Sequence, residues 1–279
     1  MQRRRFGGAA RPVAVIGQGT WQIDRGERAA AVAALRRGRE RGMTHLDTAE
    51  MYGAAESWLS EVIAERRDEI FLVSKVLPEH ASRRGTLAAC ERSLKHLRTD
   101  RIDCYLLHWR GEIPLAETVS AFEQLERDGK ILSWGVSNFD VADLEELAPL
   151  ARPGRPVCNQ VLYHLRERGI EHALIPYCEQ HGIAVVAYTP FGPGGFPGPR
   201  SAGGRALAEI ARAHGATPRQ VALRFLVRRE ALFAIPKASR VAHVVENAGA
   251  GELELDADAL ARLDAAFPRG PRPRELPMV

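Results

Sequence analysis

The hydrophobic positions of the chain fall into short runs of aliphatic and β-branched residues, separated by longer segments of mixed character. The runs recur at intervals of about thirty residues, a spacing that is typical of repeated strand–helix units. Each run has the length of a buried strand and is bounded by polar or turn-forming residues. The pattern predicts eight strands, at residues 13–19, 44–47, 70–75, 101–108, 131–137, 156–160, 183–188 and 231–236.

The segments between the predicted strands carry apolar residues at helical spacing. Thr86 is expected to cap a helix whose apolar stripe consists of Leu87, Cys90, Leu94 and Leu97. Gly182 is expected to end a helix at residues 170–181. The other predicted helices lie at residues 117–128, 205–214, 218–229 and 256–267.

Eight strands that alternate with helices fit either a closed (β/α)₈ barrel or an open, doubly wound sheet. An open sheet that binds a dinucleotide usually carries a Gly-x-Gly-x-x-Gly fingerprint after a strand. Gly17 and Gly19 begin such a pattern, but the third glycine is missing. The strand count therefore favours an α/β protein with a single (β/α)₈ barrel domain, a TIM barrel, over residues 1–279.

Polar side chains are concentrated at the carboxyl ends of the predicted strands, and the amino ends show little comparable chemistry. Active sites of (β/α)₈ barrels lie at the carboxyl ends of the strands. The asymmetry therefore indicates an enzyme. The residues concerned are Asp47, Lys75, His108, Ser137, Asn138, Asn159, Gln160, Tyr188 and Lys237.

The composition narrows the classes of partner. The formal net charge is only +4, and the basic residues are not interleaved with aromatic ones, which argues against a nucleic-acid surface. The four cysteines form no Cys-x-x-Cys pair and the nine histidines show no metal-ligand spacing, so no metal is expected. Because no apolar run is long enough for a signal peptide or a membrane span, we expect a cytoplasmic protein with no membrane partner. A monomer is also expected.

Four polar residues, Asp47, Tyr52, Lys75 and His108, together fit one chemical need. A tyrosine with its ordinary pKa of about 10 is a poor proton donor at neutral pH. The Lys75 ammonium is expected to lower the pKa of Tyr52, and Asp47 to hold that ammonium in place. A neutral His108 can hydrogen-bond the carbonyl oxygen that receives the proton. Taken singly, each also has an ordinary explanation as a helix cap, a loop aromatic, a surface lysine or a core histidine.

The same residues lie in phrases that resemble the aldo-keto reductase superfamily, and in the order found there. The phrases are Asp47-Thr48-Ala49-x-x-Tyr52-Gly53, Val73-Ser74-Lys75, Leu106-Leu107-His108-Trp109, Gly135-Val136-Ser137-Asn138-Phe139, Asn159-Gln160, Ala187-Tyr188-Thr189-Pro190 and Ile235-Pro236-Lys237-Ala238. Within the superfamily, the chain looks most like small bacterial reductases of methylglyoxal, diketogluconate and similar carbonyls. The resemblance implies a nicotinamide cofactor, Tyr52 as proton donor, Lys75 and Asp47 as the pair that tunes it, and His108 as the group that orients the carbonyl.

The resemblance also implies the cofactor contacts. Ser137, Asn138 and Gln160 match positions that hold the carboxamide, and Tyr188 matches the position that stacks on the nicotinamide ring. The other matching positions are Gly19, Thr20, Trp21 and Asp47; Thr189, Pro190, Phe191 and Gly192 in a loop over the pyrophosphate; and Lys237, Ala238, Ser239, Arg240, His243, Glu246 and Asn247 at the adenosine end. His243 stands where the family often has an arginine for the 2′-phosphate. Arg240 is either its substitute or a solvated helix start, so NADPH is expected with NADH as the second candidate.

A wall of Trp21, Met51, Leu77, His108 and Trp109 is expected to bind the substrate, and the short loops around it suit small carbonyls. Met51 and Leu77 also fit simple packing at the barrel rim. Two other functions remain open. One is a regulatory subunit of the same fold that binds cofactor with little turnover. The other is a barrel enzyme for phosphorylated metabolites, with a phosphate site at the glycines of residues 192–198.

Overall fold

The computed structural model describes residues 1–279 and has a sheet of eight parallel strands at its centre. Each strand of this sheet pairs with the next one along the chain. Two short strands, β1 (Arg3–Arg4) and β2 (Val13–Ala14), precede the sheet and pair with each other in antiparallel fashion. The sheet consists of β3 (Gln18–Gly19), β4 (His45–Asp47), β5 (Phe71–Val76), β6 (Cys104–Leu107), β7 (Trp134–Ser137), β8 (Cys158–Leu162), β9 (Ala184–Tyr188) and β10 (Leu232–Ala234).

The sheet closes on itself because the segment around β3 pairs with the segment around β10. Ile16 bridges Ala234 and Gly19 bridges Lys237, both in parallel orientation. The backbone N–H of Gly17 also donates to the Ala234 carbonyl over 2.8 Å. Eight parallel strands joined in this way confirm the predicted (β/α)₈ barrel.

The prediction of one continuous first strand over residues 13–19 is wrong. Residues 13–14 belong to β2 and pair with β1, and the pairing with the barrel begins only at Ile16. The β1–β2 ribbon brings Phe6 to the amino end of the barrel, where its ring centroid lies 5.6 Å from that of His45, 5.0 Å from Phe71 and 4.9 Å from Phe233. This aromatic cluster fills the amino end, whereas the carboxyl end remains open.

Ten α-helices connect the strands, and neighbouring helices contact one another around the barrel. They are α1 (Arg28–Glu40), α2 (Ala55–Ile63), α3 (Arg83–Leu97), α4 (Leu115–Arg127), α5 (Val141–Leu147), α6 (Leu174–Gln180), α7 (Ala202–Ala213), α8 (Pro218–Leu226), α9 (Val241–Gly249) and α10 (Ala257–Ala266). The helices α1, α2, α5 and α9 had no individual prediction. In α1 the reason is that alanines make up much of the buried face, which weakens the apolar stripe.

Helix α3 begins earlier than predicted, because Ser82 rather than Thr86 caps it. The Ser82 hydroxyl accepts a hydrogen bond from the backbone N–H of Gly85 over 3.1 Å. Thr86 lies buried inside the helix, where its hydroxyl donates to the His80 carbonyl over 3.1 Å. A threonine that can bond a nearby carbonyl is easily mistaken for a cap in the sequence.

The core joins the buried strands to the inner faces of the helices in one cluster of 74 residues. The barrel strands are buried along almost their whole length, as expected for a parallel sheet covered by helices. None of the ten helices combines the length and the hydropathy that a helix needs to cross a membrane.

Candidate active site

A cavity of about 490 Å³ opens at the carboxyl end of the barrel, where the sequence predicts the site. Its walls come from the ends of several strands and from the loops that follow them. The predicted residues that line it are Gly19, Thr20, Trp21, Asp47, Met51, Tyr52, His108, Trp109, Ser137, Asn138, Gln160, Tyr188, Thr189, Pro190, Phe191, Gly192 and Lys237. The barrel thus gathers side chains from opposite ends of the sequence in one place.

Asp47 and Lys75 form a fully buried ion pair at the base of this cavity. The Lys75 Nζ donates to Asp47 Oδ1 over 2.6 Å and to the Thr48 carbonyl over 2.8 Å. The Gln160 side-chain amide donates to Asp47 Oδ2 over 2.7 Å. Burial acts against the ammonium, but Asp47 and Tyr52 together outweigh it and raise the pKa of Lys75 above its ordinary value. Lys75 is therefore a fixed positive charge at neutral pH.

Tyr52 lies between Lys75 and His108, with its hydroxyl 3.4 Å from Lys75 Nζ and 3.4 Å from His108 Nε2. Burial raises the pKa of Tyr52, and Asp47 adds to this effect, while Lys75 lowers the pKa. The net direction is upward, although Lys75 lowers the pKa of Tyr52 in the expected sense. The physical reason is that burial of the phenol outweighs the charge of the ammonium. The phenol consequently carries its proton at neutral pH.

His108 is a neutral imidazole. Burial, followed by the charge of Lys75, lowers its pKa to about 2. The ring lies edge to face against Tyr52, with a centroid distance of 5.6 Å, and packs against Trp109 at 4.9 Å. Its Nδ1 is buried without a hydrogen-bond partner, so its polar contact in the site is made through Nε2.

A network of amides and hydroxyls continues the site from His108 toward β8 and β9. The Asn138 side chain donates to the His108 carbonyl over 3.1 Å and accepts from the Tyr188 hydroxyl over 2.9 Å. The Ser137 hydroxyl donates to the Gln160 carbonyl over 2.8 Å. Asn138 has a φ of +59°, a backbone conformation that asparagine tolerates better than most residues. These contacts place together the residues that the sequence assigns to the carboxamide and the nicotinamide ring.

The rim of the cavity is apolar and open. Trp21 and Met51 are each 45% exposed, and Trp109 stands beside His108. Leu77 is not among the residues that line the cavity, and its predicted substrate contact stays a prediction. The Leu77 backbone N–H donates to the Glu50 carboxylate over 2.7 Å.

The loop after β9 covers one side of the cavity. Thr189 and Gly192 have φ values of +49° and +82°, which turn the chain sharply across the opening. The Arg219 guanidinium lies 5.4 Å from the ring centroid of Phe191 and 5.1 Å from that of Phe196. These cation–π contacts hold the loop from its outer side.

At the predicted adenosine end, only Lys237 lines the cavity. Arg240 precedes α9, and its guanidinium lies 2.6 Å from His243 Nε2. Asn247 is buried, and the Glu246 carbonyl accepts from the Gln220 side chain. The remaining predicted residues lie outside the cavity lining, on the segment that leads into α9 or on α9 itself, and are Ala238, Ser239, Arg240, His243, Glu246 and Asn247.

The sequence did not predict four of the residues that line the cavity, which are Gln22, Ile235, Met278 and Val279. Gln22 and Ile235 adjoin predicted positions and could have been found by extending those motifs. Met278 and Val279 belong to the Pro/Arg-rich tail, which has no periodic pattern. The tail folds back along the barrel, with the Gly270 carbonyl 3.0 Å from His172 Nε2. Only the fold reveals that contact.

Comparison with known proteins gives consistent matches over nearly the whole chain. The model of the aldo/keto reductase family matches residues 15–267. The chain is 46% identical to methylglyoxal reductase YeaE of Escherichia coli K12 over 257 residues, which cover 91% of this chain and 90% of that protein. It is 33% identical to a glyoxal reductase of Bacillus subtilis 168 over 272 residues, with coverage of 94% and 92%. A crystal structure of an aldo/keto reductase from Klebsiella pneumoniae, in complex with NADP and acetate, superposes with a TM-score of 0.90 at 43% identity and 99% coverage of both chains.

Proposed function

Since this chain belongs to the aldo/keto reductase family, we propose that it is an NADP-dependent oxidoreductase that reduces small aldehydes and dicarbonyls, such as methylglyoxal, to alcohols. The observation that carries the proposal is the position of Lys75. It is paired with Asp47 and lies 3.4 Å from a Tyr52 hydroxyl at the wall of an open cavity. We further propose that residues 1–279 act as one barrel domain.

The cavity residues fit a nicotinamide cofactor by the chemistry of their side chains. Ser137, Asn138 and Gln160 provide the hydroxyl and amide groups that a carboxamide requires, and Tyr188 provides an aromatic face beside them. Lys237 provides a cation for a phosphate at the other end of the cavity. When bound, the cofactor would supply the hydride for the carbonyl carbon. The Klebsiella pneumoniae relative contains NADP, which supports this assignment.

Tyr52 is proposed to donate the proton. Its raised pKa keeps the hydroxyl protonated at neutral pH, and the hydroxyl reaches the cavity. As the proton leaves, the phenolate that forms is stabilised by the Lys75 ammonium 3.4 Å away. A positioned general acid of this kind typically contributes a factor of about 10² to 10⁴ in rate.

His108 is proposed to orient the carbonyl. Its pKa of about 2 leaves the imidazole neutral, so one ring nitrogen carries a proton and the other does not. The tautomer with the proton on Nε2 would present a donor on the same side as the Tyr52 hydroxyl, 3.4 Å away. A carbonyl oxygen between the two groups would then accept hydrogen bonds from both. This fixes the oxygen at the place where negative charge develops during reduction.

The apolar rim supports small, electron-poor carbonyl substrates. Trp21, Met51, Trp109 and Met278 contribute apolar surface to the cavity, whose charged lining residues are Asp47 and Lys237. Such a wall gives a small molecule contact area but little directional recognition. The relatives named as a methylglyoxal reductase and a glyoxal reductase point to the same substrate class.

The proposal is tested by ranking kcat/KM for methylglyoxal, small aromatic aldehydes and a steroid ketone, first with NADPH and then with NADH. We expect good turnover of the small carbonyls with NADPH. Neighbouring aldehydes should differ by only about 1–3 kcal/mol, because an apolar pocket discriminates weakly. A preference for the steroid, or no activity on any dicarbonyl, would contradict the substrate assignment.

The same assay separates the enzyme from a regulatory subunit of this fold, because a regulatory subunit would bind NADPH with almost no turnover of any aldehyde in the panel. The expected monomeric state and cytoplasmic location stay predictions.

A further inference from the structure

The loop between β4 and α2 carries Tyr52, and it also carries a carboxylate, Glu50, that does not line the cavity. The Glu50 side chain is only 9% exposed. Its Oε1 accepts from the Leu77 backbone N–H over 2.7 Å and lies 2.9 Å from His80 Nδ1, and its Oε2 accepts from Arg92 over 3.1 Å. All three partners belong to the segment that follows β5. A single carboxylate thus attaches the Tyr52 loop to the neighbouring strand–helix unit.

The backbone makes the same attachment one step closer to Lys75. The N–H of Glu50 donates to the Lys75 carbonyl over 3.2 Å, and the N–H of Tyr52 donates to the Ala49 carbonyl over 3.0 Å. Glu50 therefore bonds to the end of β5 on both sides of Val76. Its main chain bonds to Lys75 and its side chain bonds to Leu77. Lys75 is fixed in β5 and Tyr52 lies in the loop, so the two hydrogen bonds of Glu50 help to set the distance between the Lys75 and Tyr52 side chains.

The far end of the loop is held separately. The backbone N–H of Ala54 donates to Asp24 Oδ2 over 3.2 Å. Gly53 has a φ of +56°, which favours glycine, and a Cβ atom there would come within 2.0 Å of the same oxygen. Asp24 thus secures the chain just after Tyr52, whereas Glu50, together with the bonds of Thr48 to Val73 and Lys75, secures the chain just before it.

We propose that Glu50 is a positioning residue for proton transfer, and that its carboxylate holds the Tyr52 hydroxyl within reach of Lys75. This inference rests on the proposed function, because it assumes that Tyr52 donates a proton to a carbonyl. Misplacement of a reacting group by about 1 Å can cost roughly 10²-fold in rate. Loss of the hydrogen bonds of the Glu50 carboxylate should therefore lower kcat. The cofactor contacts lie elsewhere in the cavity and should be kept.

The test compares Glu50→Ala with the wild type and with a matched control, Glu126→Ala. Glu126 is 10% exposed and pairs with Arg152 and Arg155, so its removal disturbs a similar buried carboxylate that is not part of the site. Glu50→Ala should lower kcat about 10-fold to 100-fold, with the Kd for NADPH unchanged. Glu126→Ala should lose comparable stability in urea unfolding but keep its kcat.

Glu50→Gln provides the rescue, since the amide oxygen can still accept from the Leu77 N–H, and we expect it to recover most of kcat. Glu50→Asp keeps the charge but is one methylene shorter, so it cannot hold Leu77 without moving the loop, and it should again lower kcat. Glu50→Asp also serves if Glu50→Ala does not fold. Unchanged kcat in folded Glu50→Ala or Glu50→Asp, or an equal loss of kcat in Glu126→Ala, would overturn the inference. Absence of turnover in the wild type would instead refute the proposed function.

Discussion

The buried pair of Lys75 and Asp47 makes a prediction about stability as well as about activity. At 2.6 Å, opposite unit charges attract by about 6 kcal/mol if the effective dielectric constant is about 20. Removing one partner leaves the other buried without compensation, which typically costs about 3–5 kcal/mol. Lys75→Met and Asp47→Asn should each lower the free energy of unfolding by about this amount. The double variant Lys75→Met/Asp47→Asn buries no charge. Its free energy of unfolding should therefore fall by far less than the sum of the two single losses.

The assay is urea unfolding at pH 7, followed by tryptophan fluorescence, to which the buried Trp134 contributes together with Trp21, Trp58 and Trp109. We expect an interaction energy of at least about 3 kcal/mol between the two substitutions. Burial already raises the pKa of Asp47 in the native protein, and in Lys75→Met the loss of the ammonium raises the folded-state pKa of Asp47 further. Below about pH 3.9, the pKa of Asp47 in the unfolded chain, the carboxyl group is protonated in both states and the loss of stability is small. The loss grows as the pH rises through the higher pKa of Asp47 in the folded state. Losses that add to within about 0.5 kcal/mol, or a loss that does not change with pH, would refute the reasoning.

Two further predictions concern cofactor choice and pH. Lys237→Ala should weaken NADPH binding by about tenfold or more and leave NADH nearly unchanged, because a charge-assisted contact to the 2′-phosphate contributes about 1.5–3 kcal/mol. Titration of tryptophan fluorescence measures both constants, and equal weakening would place Lys237 at another phosphate. Because the pKa of His108 is about 2 rather than its ordinary 6.5, the pH profile of kcat/KM should show no inflection near pH 6.5. An inflection there that His108→Gln removes would show that the imidazole becomes charged in the working range.

The barrel and its active-site end could be predicted from the sequence because both depend on local patterns. A buried parallel strand is a short continuous apolar run, and a polar residue at its carboxyl end lies where the active sites of barrels are found. Asp47 and His108 follow directly from this rule, and the spacing of Tyr52 from Asp47 follows from the resemblance to the aldo-keto reductases.

Features that depend on contacts between distant segments could not be predicted. The split of the first strand follows from the pairing of β1 with β2, and the contribution of Met278 to the cavity follows from the path of the tail. The direction of the pKa of Tyr52 depends on how deeply the ring is buried, which no motif records. The role inferred for Glu50 depends on its contact with Leu77, a residue twenty-seven positions away in the sequence.

The central claim is that Tyr52 donates the proton, and Tyr52→Phe tests it most directly. The substitution removes only the hydroxyl, and the phenyl ring can keep its edge-to-face packing on His108. The measurement is kcat for methylglyoxal with saturating NADPH, together with the Kd for NADPH from quenching of tryptophan fluorescence, since Trp21 and Trp109 line the cavity. We predict that kcat falls by a factor of about 10² to 10⁴ while the Kd is unchanged. Near-full turnover in Tyr52→Phe would contradict the claim and remove Tyr52 from the mechanism.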